Sequence, residues 1–372
     1  MKETVLFISD KKYLNAEIRG GVQLCTREYV LYLAAAGYEC RFFEISPHTD
    51  LFTRIKIRLG TDAYDRYPIK NFLQQICSII HEQNIKLVLL NQVNIASWAI
   101  ELRKHVKDDV KFIGLSHGNE SADYVHEITK GGNTGKLQTY KLGKLIAHEA
   151  RIFSETLDGV IVLSEQEKAI DQWLGASRIL YLPRMLHPAY IDWQPESPNA
   201  GFAGTLDHLP NRLGIEMLAD ELVRLKFNYK LNIVGGPENV GMELQLKYNF
   251  INYKGPVSDE SLLDEVSRWS LFINPVFWYA RGSSTKLAQA INWGIPCITT
   301  PAGRRGYELI NSEIVTADDS PAEFASTVLR ALDNPDYLEK LYGASRQNAE
   351  EFDAHRFIAT LDEFLKSFRK AI

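Results

Sequence analysis

One stretch of the sequence decides the fold: residues 280–300, ARGSSTKLAQAINWGIPCITT. It opens with small and polar residues, continues with apolar residues at helical spacing, and turns at Gly294–Ile295–Pro296 into the segment CITT. Another apolar segment precedes it at residues 271–275, LFINP. This pattern predicts a strand, a loop, a helix and a second strand, as in a parallel α/β sheet.

The small-residue loop of this stretch predicts a site for an anion. At a helix start the first backbone N–H groups have no partner within the helix, and the positive end of the helix dipole lies behind them. Arg281 and Lys286 add two positive charges beside the loop. The residues predicted to surround the anion are Gly282, Ser283, Ser284 and Thr285.

The composition indicates a globular protein with room for two domains. The chain has 372 residues, of which 45% are hydrophobic and 24% charged, and its formal net charge is −5. This charge gives no basic field that would favour nucleic acid. Four scattered cysteines without a C-x-x-C pair argue against structural zinc. Because we find neither a signal peptide nor an apolar run of the ~20 residues that a membrane span needs, we expect a cytoplasmic protein.

Strands and helices alternate along both halves of the chain. The first half begins with an apolar strand at residues 5–8, and the second restarts with a short strand at residues 200–204. Between them, residues 183–199 contain four prolines and little periodicity, which is typical of a linker. The alternation predicts an α/β protein with two Rossmann-like, doubly wound parallel-sheet domains, residues 1–185 and 186–354, that face one cleft.

Three glycines and a histidine lie at predicted strand ends or in the loops that follow them. They are Gly20, Gly21, His117 and Gly204. Because ligands of such sheets bind beyond the carboxyl ends of the strands, we predict that these residues share one site with the 280–300 stretch. Glycine in the first of these loops lets the backbone approach a phosphate closely.

The chain resembles the retaining glycosyltransferases with two Rossmann-like domains, the GT-B type, in the large group often called family 4. The resemblance covers most of the chain and rests on five motifs in the family's order, at residues 20–21, 116–118, 201–205, 255–259 and 281–300. Residues 206–211 and the start of the 280–300 stretch are similar to a branch used in bacterial surface-glycan assembly. The resemblance also implies that a C-terminal helix at about residues 355–372 crosses back to the first domain.

The resemblance implies a role for individual residues. It places the donor, a UDP- or GDP-linked sugar, mainly on the second domain and the acceptor mainly on the first. It assigns His117 to the reacting centre, with Arg281 and Lys286 stabilising the diphosphate leaving group. The residues expected to bind the donor are Gly20, Gly21, Gly204, Thr205, Val257, Gly282, Ser283, Ser284, Thr285 and Gln289.

The chain departs from the family's pattern at several of these positions. Much of the family has two glutamates flanking the loop, where this chain has Arg281 and Gln289. Gln289 can still hydrogen-bond ribose hydroxyls, but as a neutral group. The basic pair that often follows the first strand of the second domain is absent at Thr205 and Asn211, so neutralisation of the diphosphate falls to Arg281 and Lys286.

We therefore expect a retaining hexosyltransferase that needs no metal or other cofactor and acts on a glycan or lipid-linked acceptor in bacterial surface polysaccharide assembly. Two regions are candidates for an acceptor groove or for a peripheral contact with anionic lipid headgroups. They are the basic and aromatic stretch at 52–70 and the lysines Lys130, Lys136, Lys141 and Lys144. Two alternatives stay open: a nucleotide-sugar epimerase of the same architecture, and a catalytically silent glycosyltransferase-like binding subunit.

Overall fold

A computed structural model describes residues 3–15, 20–47 and 67–369 of the chain. Nearly all of the basic and aromatic stretch at 52–70 lies outside these ranges. Within them helices and strands alternate, and the strands of each sheet pair in parallel with their neighbours. The predicted α/β class is thus confirmed, because parallel neighbours need the crossover connections that an alternating chain supplies.

The first of two compact units comprises Met1–Arg184 and Asp353–Ile372. Its described strands are β1 Glu3–Asp10, β2 Tyr38–Ile45, β3 Leu87–Asn91, β4 Lys111–Leu115, β5 Gly159–Val162 and β6 Ile179–Tyr181. They form one sheet in the order β2-β1-β3-β4-β5-β6. Its described helices up to residue 184 include α1 Lys11–Leu14, α2 Gly21–Ala35, α3 Leu73–Glu82, α4 Trp98–Leu102, α5 Glu120–Lys130, α6 Lys136–Arg151 and α7 Glu165–Trp173.

The first sheet is buried on both faces, as its apolar strands require. Residues 5–8 of β1 and 87–90 of β3 are fully buried in the core. Polar side chains cap the helices that follow β4 and β5. Asn119 Oδ1 accepts from the backbone N–H of Ala122 at 2.8 Å, and Ser164 Oγ accepts from the N–H of Glu167 at 3.1 Å. These caps fix where α5 and α7 begin.

The second unit, Met185–Phe352, lies wholly within the described residues. Its strands are β7 Asn199–Ala203, β8 Lys230–Val234, β9 Ile251–Gly255, β10 Leu271–Asn274 and β11 Cys297–Thr299. They form a parallel sheet in the order β11-β10-β7-β8-β9. The helices of this unit are α8 Leu209–Arg224, α9 Glu238–Lys247, α10 Asp259–Ser267, α11 Thr285–Trp293, α12 Pro321–Asp333 and α13 Pro335–Glu350. Both sheets are doubly wound, with the strand order reversing beside β1 and beside β7.

The C-terminal helix, α14 Ala354–Ser367, belongs to the first unit although it follows the second in the chain. Its apolar stripe includes Phe357 and Leu361, both buried. Phe368, just after the helix, covers Gly159 at the start of β5: a Cβ on that glycine would lie 2.6 Å from the ring. The predicted return of a C-terminal helix to the first domain is confirmed.

Candidate functional site

The second unit has its topological switch point between β7 and β10. These strands are parallel neighbours, with Leu271 opposite Ala200 and Phe272 opposite Gly201. β7 leads into Gly204, and β10 leads through the small-residue loop into α11. The decisive 280–300 stretch therefore lies where open α/β sheets bind their ligands.

Helix α11 begins without a side-chain cap. Ser284 precedes the helix, but its hydroxyl donates to Asn274 Oδ1 at 2.9 Å instead of capping the first turn. Asn274 is fully buried, and its Nδ2 donates to Thr299 Oγ1 at 2.9 Å. Gly282 has a φ of +74°, in the left-handed region that favours glycine. The loop is therefore held by its own polar contacts, and Ser284 leaves the first-turn N–H groups available to an anion.

Lys286 lies across Gly204 at the end of β7. A Cβ on that glycine would lie 2.2 Å from Lys286 Cε, and Lys286 Nζ lies 5.8 Å from the centroid of the Phe202 ring. Burial, followed by the nearby Arg305 guanidinium, lowers the pKa of Lys286 to about 8. Among the residues that the structure describes, no carboxylate forms an ion pair with Lys286. Its positive charge is thus held at the strand ends without an acidic partner.

Arg305 is a second cation of this site, and the sequence analysis did not predict it. The residue is only 7% exposed; its Nε donates to the Ala280 carbonyl at 2.5 Å and its Nη1 to the Ala302 carbonyl at 2.6 Å. These bonds join the loop before α11 to the loop after β11. The signal in the sequence was the Arg304–Arg305 pair in the loop that follows β11. Arg305 and Lys286 repel each other, and a bound polyanion would relieve that repulsion.

Backbone packs directly on backbone at the ends of β7 and β8. Gly204 N donates to the Val234 carbonyl at 2.9 Å, and Gly235 has a φ of +135°. A Cβ on Gly235 would lie 2.0 Å from the Gly204 carbonyl oxygen, so no side chain fits there. The carbonyl of Thr205 accepts from Asn211 Nδ2 at 2.7 Å. Glycine is therefore required at residue 235, after β8. Asn211, at a position where the resemblance led us to look for a basic residue, instead holds the Thr205 carbonyl.

The other predicted donor residues are distributed around these strand ends. Arg281 and Gln289 are exposed, so a ligand can reach both side chains. Ser283 and Thr285 are half-buried in the loop and the first turn of α11. Val257 is 39% exposed and follows β9, the edge strand, which is separated from β7 by β8. The structure brings the loop and the end of β7 together, whereas Val257 lies at a separate strand end.

In the first unit, His117 follows β4 at the carboxyl end of the sheet. Its Nε2 lies 2.7 Å from Asn91 Oδ1, and its ring meets the Tyr29 ring edge to face, with centroids 5.7 Å apart. Tyr29 Oη donates to the Ser116 carbonyl at 2.6 Å, next to the histidine in the chain. His117 is half-buried. The histidine is thus held by an amide and an aromatic ring.

Gly20 and Gly21 open helix α2. Gly20 is the N-cap residue, with an extended backbone at φ −177°, and its carbonyl accepts from the N–H of Leu24 at 3.0 Å. A Cβ on Gly20 would meet the tip of the Gln23 side chain, with Oε1 at 2.4 Å. Residues 16–19, which precede the two glycines, lie outside the described residues. The described backbone at Gly20 is one that other residues adopt as well.

Three carboxylates are buried in the first unit near the turns after β4 and β5. Glu149, Glu167 and Asp171 are each at most 1% exposed. Glu167 Oε2 accepts from the N–H of Leu163 at 2.9 Å, and Asp171 Oδ1 accepts from Asn119 Nδ2 at 3.1 Å. Burial, followed by the charge of Glu167, raises the pKa of Asp171 well above its usual value. These acids hold the strand-end turns in place.

The α5–α6 lysine surface is made by exposed residues around the turn between these helices. Two large apolar side chains are exposed there, Leu137 at 56% and Tyr140 at 64%. No Asp or Glu occurs from residue 128 to residue 148. Lys141 is half-buried, with its Nζ 4.9 Å from the Tyr124 ring centroid. The exposed residues that define this surface are Lys130, Lys136, Leu137, Tyr140 and Lys144.

Among the described residues, no group of three or more His, Cys, Asp or Glu side chains is placed to hold a metal ion. All four cysteines are free thiols, and Cys25 and Cys297 are buried. Burial raises the pKa of each of these two thiols to about 12.

No helix in the described part of the chain is both long enough and apolar enough to cross a membrane.

Comparison with protein families matches residues 197–334 to the family described as Glycosyl transferases group 1. The matched segment contains all five strands of the second unit, the start of α11, and the two cations Lys286 and Arg305. Comparison with curated proteins gives no significant match.

Solved structures with similar folds cover the whole chain. Sucrose-phosphate synthase from Thermosynechococcus elongatus has a TM-score of 0.71 at 17% identity, over 100% of both chains. The pneumococcal O-GlcNAc transferase GtfA, solved with UDP and GlcNAc, has a TM-score of 0.58 at 10% identity, over 99% of both chains. TarM has a TM-score of 0.56 at 18% identity, over 79% of this chain and 57% of its own. The likenesses show that the chain shares the fold of these proteins.

Proposed function

We propose that this chain, whose residues 197–334 match the family Glycosyl transferases group 1, transfers a hexose from a nucleoside diphosphate sugar to a glycan or lipid-linked acceptor. The donor binds mainly to the second unit and the acceptor mainly to the first. The reaction retains the anomeric configuration, proceeds without a metal ion, and serves bacterial surface polysaccharide assembly. Retention and the surface-glycan role rest on the resemblance of the sequence motifs.

The observation that carries this proposal is the uncompensated charge of Lys286. The half-buried Lys286 side chain lies across Gly204 at the switch point, beside the uncapped start of α11, and the buried Arg305 is nearby. Burial of an unpaired cation is costly, so a site that keeps one is suited to an anionic ligand. Nucleoside diphosphates have two adjoining phosphates, which fit two cations and a helix N-terminus.

The same groups account for leaving-group stabilisation. During transfer, negative charge grows on the diphosphate oxygen that leaves the sugar, and preorganised donors and cations lower the barrier by stabilising that charge. At neutral pH most Lys286 side chains are protonated, because the pKa of about 8 lies above pH 7. Arg281 is exposed beside the loop and contacts the phosphates from outside. His117 contacts the transferred sugar, and Gln289 contacts the ribose hydroxyls.

A structural neighbour was solved with ligands of the chemical class that we propose for the donor. GtfA was solved with UDP and GlcNAc, a nucleoside diphosphate and a hexose derivative. At 10% identity this likeness shows only a shared fold. Binding experiments with different nucleotide-sugars identify the base and the sugar that this chain uses. We expect a UDP- or GDP-linked sugar.

The proposal is tested by calorimetric titration of the full chain with UDP, GDP and ADP. We expect at least one of them to bind, and Lys286→Ala to weaken that binding about tenfold or more, the worth of a charge-assisted hydrogen bond. Lys340→Ala is the matched control, because Lys340 is an exposed lysine of the same unit. It should bind like the native chain. Absence of binding for all three nucleotides, or native affinity in Lys286→Ala, would contradict the proposal.

We further propose that the α5–α6 lysine surface contacts anionic lipid headgroups, which would bring the enzyme to a lipid-linked acceptor. Exposed Lys130, Lys136 and Lys144 supply positive charge, while Leu137 and Tyr140 supply apolar and aromatic surface. Because no Asp or Glu occurs from 128 to 148, this segment carries a net positive charge. Basic residues next to exposed aromatic ones are suited to a membrane interface.

Sedimentation with vesicles tests the lipid contact. Phosphatidylglycerol vesicles should bind the chain and phosphatidylcholine vesicles should not, and salt should weaken the binding. Lys136→Gln with Lys144→Gln should lose about thirtyfold in affinity, from about 1 kcal/mol per lysine. Lys340→Gln provides the control at an exposed site in the other unit. Equal sedimentation with both vesicle types would exclude an electrostatic contact.

A further inference from the structure

The polar network around Asn91 joins three elements at the carboxyl end of the first sheet. Asn91 is the last residue of β3 and is only 1% exposed. Its Nδ2 donates to Ser9 Oγ, at the end of β1, at 2.8 Å and to Thr26 Oγ1, on α2, at 3.0 Å. Its Oδ1 lies 2.7 Å from His117 Nε2. This one amide therefore links the histidine to β1 and α2.

The orientation of the Asn91 amide follows from the hydrogen bonds of Ser9. The Ser9 hydroxyl has a single proton and donates it to the Asp10 carbonyl at 3.2 Å. Toward Asn91 the hydroxyl can therefore only accept, so the group that faces it is the amide NH₂. The amide oxygen consequently faces His117. An oxygen at 2.7 Å needs a donor, so His117 Nε2 carries a proton.

Contacts on both sides of the histidine hold its ring in place. The Tyr29 ring meets the His117 ring at an interplanar angle of 89°. Tyr29 Oη donates to the Ser116 carbonyl at 2.6 Å, and Gly118 N donates to Ser116 Oγ at 3.0 Å. Gly118 has a φ of +111°, which a side chain would rarely adopt. The turn after β4 therefore presents His117 in a defined position.

We propose that Asn91 is a positioning residue for His117, which it holds in the Nε2–H tautomer. In the neutral ring Nδ1 then carries no proton, so the contact with Asn91 fixes both the orientation of the ring and the position of its proton. This inference rests on the proposed function for the contact between His117 and the sugar. The tautomer itself follows from the Ser9–Asn91–His117 geometry alone.

Nitrogen NMR of the full chain with ¹⁵N-labelled histidine measures the tautomer directly. The chain has nine histidines, so His117→Gln assigns the signal. We expect a protonated Nε2 and an unprotonated Nδ1 for His117 at a pH where the ring is neutral. Asn91→Leu should convert this signal to a mixture of tautomers, because the acceptor for the Nε2 proton is lost. Asn91→Asp should keep the Nε2 proton and favour the charged ring, because a carboxylate replaces the amide oxygen.

Kinetics with the nucleotide-sugar separates positioning from binding. Asn91→Leu should lower kcat about tenfold or more while the KM for the donor stays within about twofold, as for a group that acts on the reacting centre. The control is Asn232→Asp, a buried strand asparagine of the second unit that donates to Asn199 Oδ1 at 3.1 Å. It should change neither the His117 signal nor kcat by a comparable factor. Thermal unfolding confirms that each variant is folded.

The outcomes distinguish this proposal from the proposed function. A protonated Nδ1 in the native chain, or an unchanged tautomer in folded Asn91→Leu, would overturn the positioning role of Asn91. A native chain with the Nε2–H tautomer but without any transfer activity would overturn the proposed function and support the tautomer assignment. A changed tautomer in Asn91→Leu with native kcat would overturn the link between the tautomer and catalysis.

Discussion

The two units build their strand-end sites with opposite chemistry. In the second unit the site has two cations, the half-buried Lys286 and the buried Arg305, and an uncapped helix start. In the first unit, His117 contacts the Asn91 amide and the Tyr29 ring, and the Asp171 side chain is buried against Asn119 after the same strand. A cationic site suits a diphosphate, whereas a neutral polar site suits sugar hydroxyls. The difference therefore matches the division of donor and acceptor that we propose.

The glycines of the two units also differ in what they do. At Gly235 in the second unit, a positive φ and a carbonyl oxygen 2.0 Å from the Cβ position both exclude a side chain. At Gly20 in the first unit, the backbone is extended and only the flexible Gln23 side chain lies in the way. Close backbone packing is thus a property of the cationic site. The described backbone at Gly20 has no such requirement.

The largest expected effect comes from alanine at these two glycines. Gly235→Ala should lower the free energy of unfolding by about 2–4 kcal/mol, because it combines backbone strain with a clash against the Gly204 carbonyl. Gly20→Ala should cost less than about 1 kcal/mol, because the Gln23 side chain can rotate away. Urea denaturation followed by circular dichroism measures both. Equal losses of unfolding free energy in the two variants would contradict the difference that we describe between Gly235 and Gly20.

A smaller effect is expected from removing the buried charge. Lys286→Met should raise the free energy of unfolding at pH 7 by about 1–3 kcal/mol, because partial burial makes the ammonium costly, while it weakens nucleotide binding about tenfold or more. The pKa of this group is lower in the folded chain than in the unfolded chain, so the unfolded chain holds the proton more tightly between pH 8 and 10.5. The free energy of unfolding of the native chain should therefore rise between pH 8 and 10.5 because of this group. Lys286→Met should not show this rise. A variant less stable than the native chain at pH 7 would contradict this account.

The pH dependence of donor binding gives the smallest of the three effects. The ammonium form of Lys286 binds the anion, and its pKa is about 8 in the free chain. Nucleotide affinity should thus be constant near pH 7 and fall by up to about tenfold per pH unit as the pH rises above 8. The phosphates remain ionised throughout this range, since their last pKa is about 6. Calorimetry from pH 7 to 9.5 measures this loss of nucleotide affinity. Lys286→Arg, which keeps its charge in this range, should show little change of affinity with pH.

Much of this architecture could be predicted from the sequence. The α/β class, the two doubly wound sheets, the C-terminal helix of the first unit and the resemblance to GT-B glycosyltransferases are confirmed. Apolar runs for buried strands and glycine or proline at their ends are local signals, which is why the alternation was visible. The helices α5 and α9 were not predicted. α5 has few apolar residues, and α9 contains a glycine at residue 241.

The residues that the sequence did not reveal owe their roles to distant contacts. Arg304 and Arg305 are adjacent, but Arg304 is exposed and Arg305 is buried against the Ala280 carbonyl, 25 residues away. Asn91 binds groups 82, 65 and 26 residues away in the chain. Periodicity and motif spacing contain no information on such pairs. They could be found only once the strand order was known.

The measurement that tests the central claim most directly is diffraction from crystals soaked with a mixture of UDP-, GDP- and ADP-linked hexoses. We predict a diphosphate at the start of α11, with oxygens at about 3 Å from first-turn N–H groups and from Lys286 Nζ. Crystals of Lys286→Ala under the same conditions should show weaker density or none. Diphosphate density at another strand end, away from Lys286 and α11, would contradict the account.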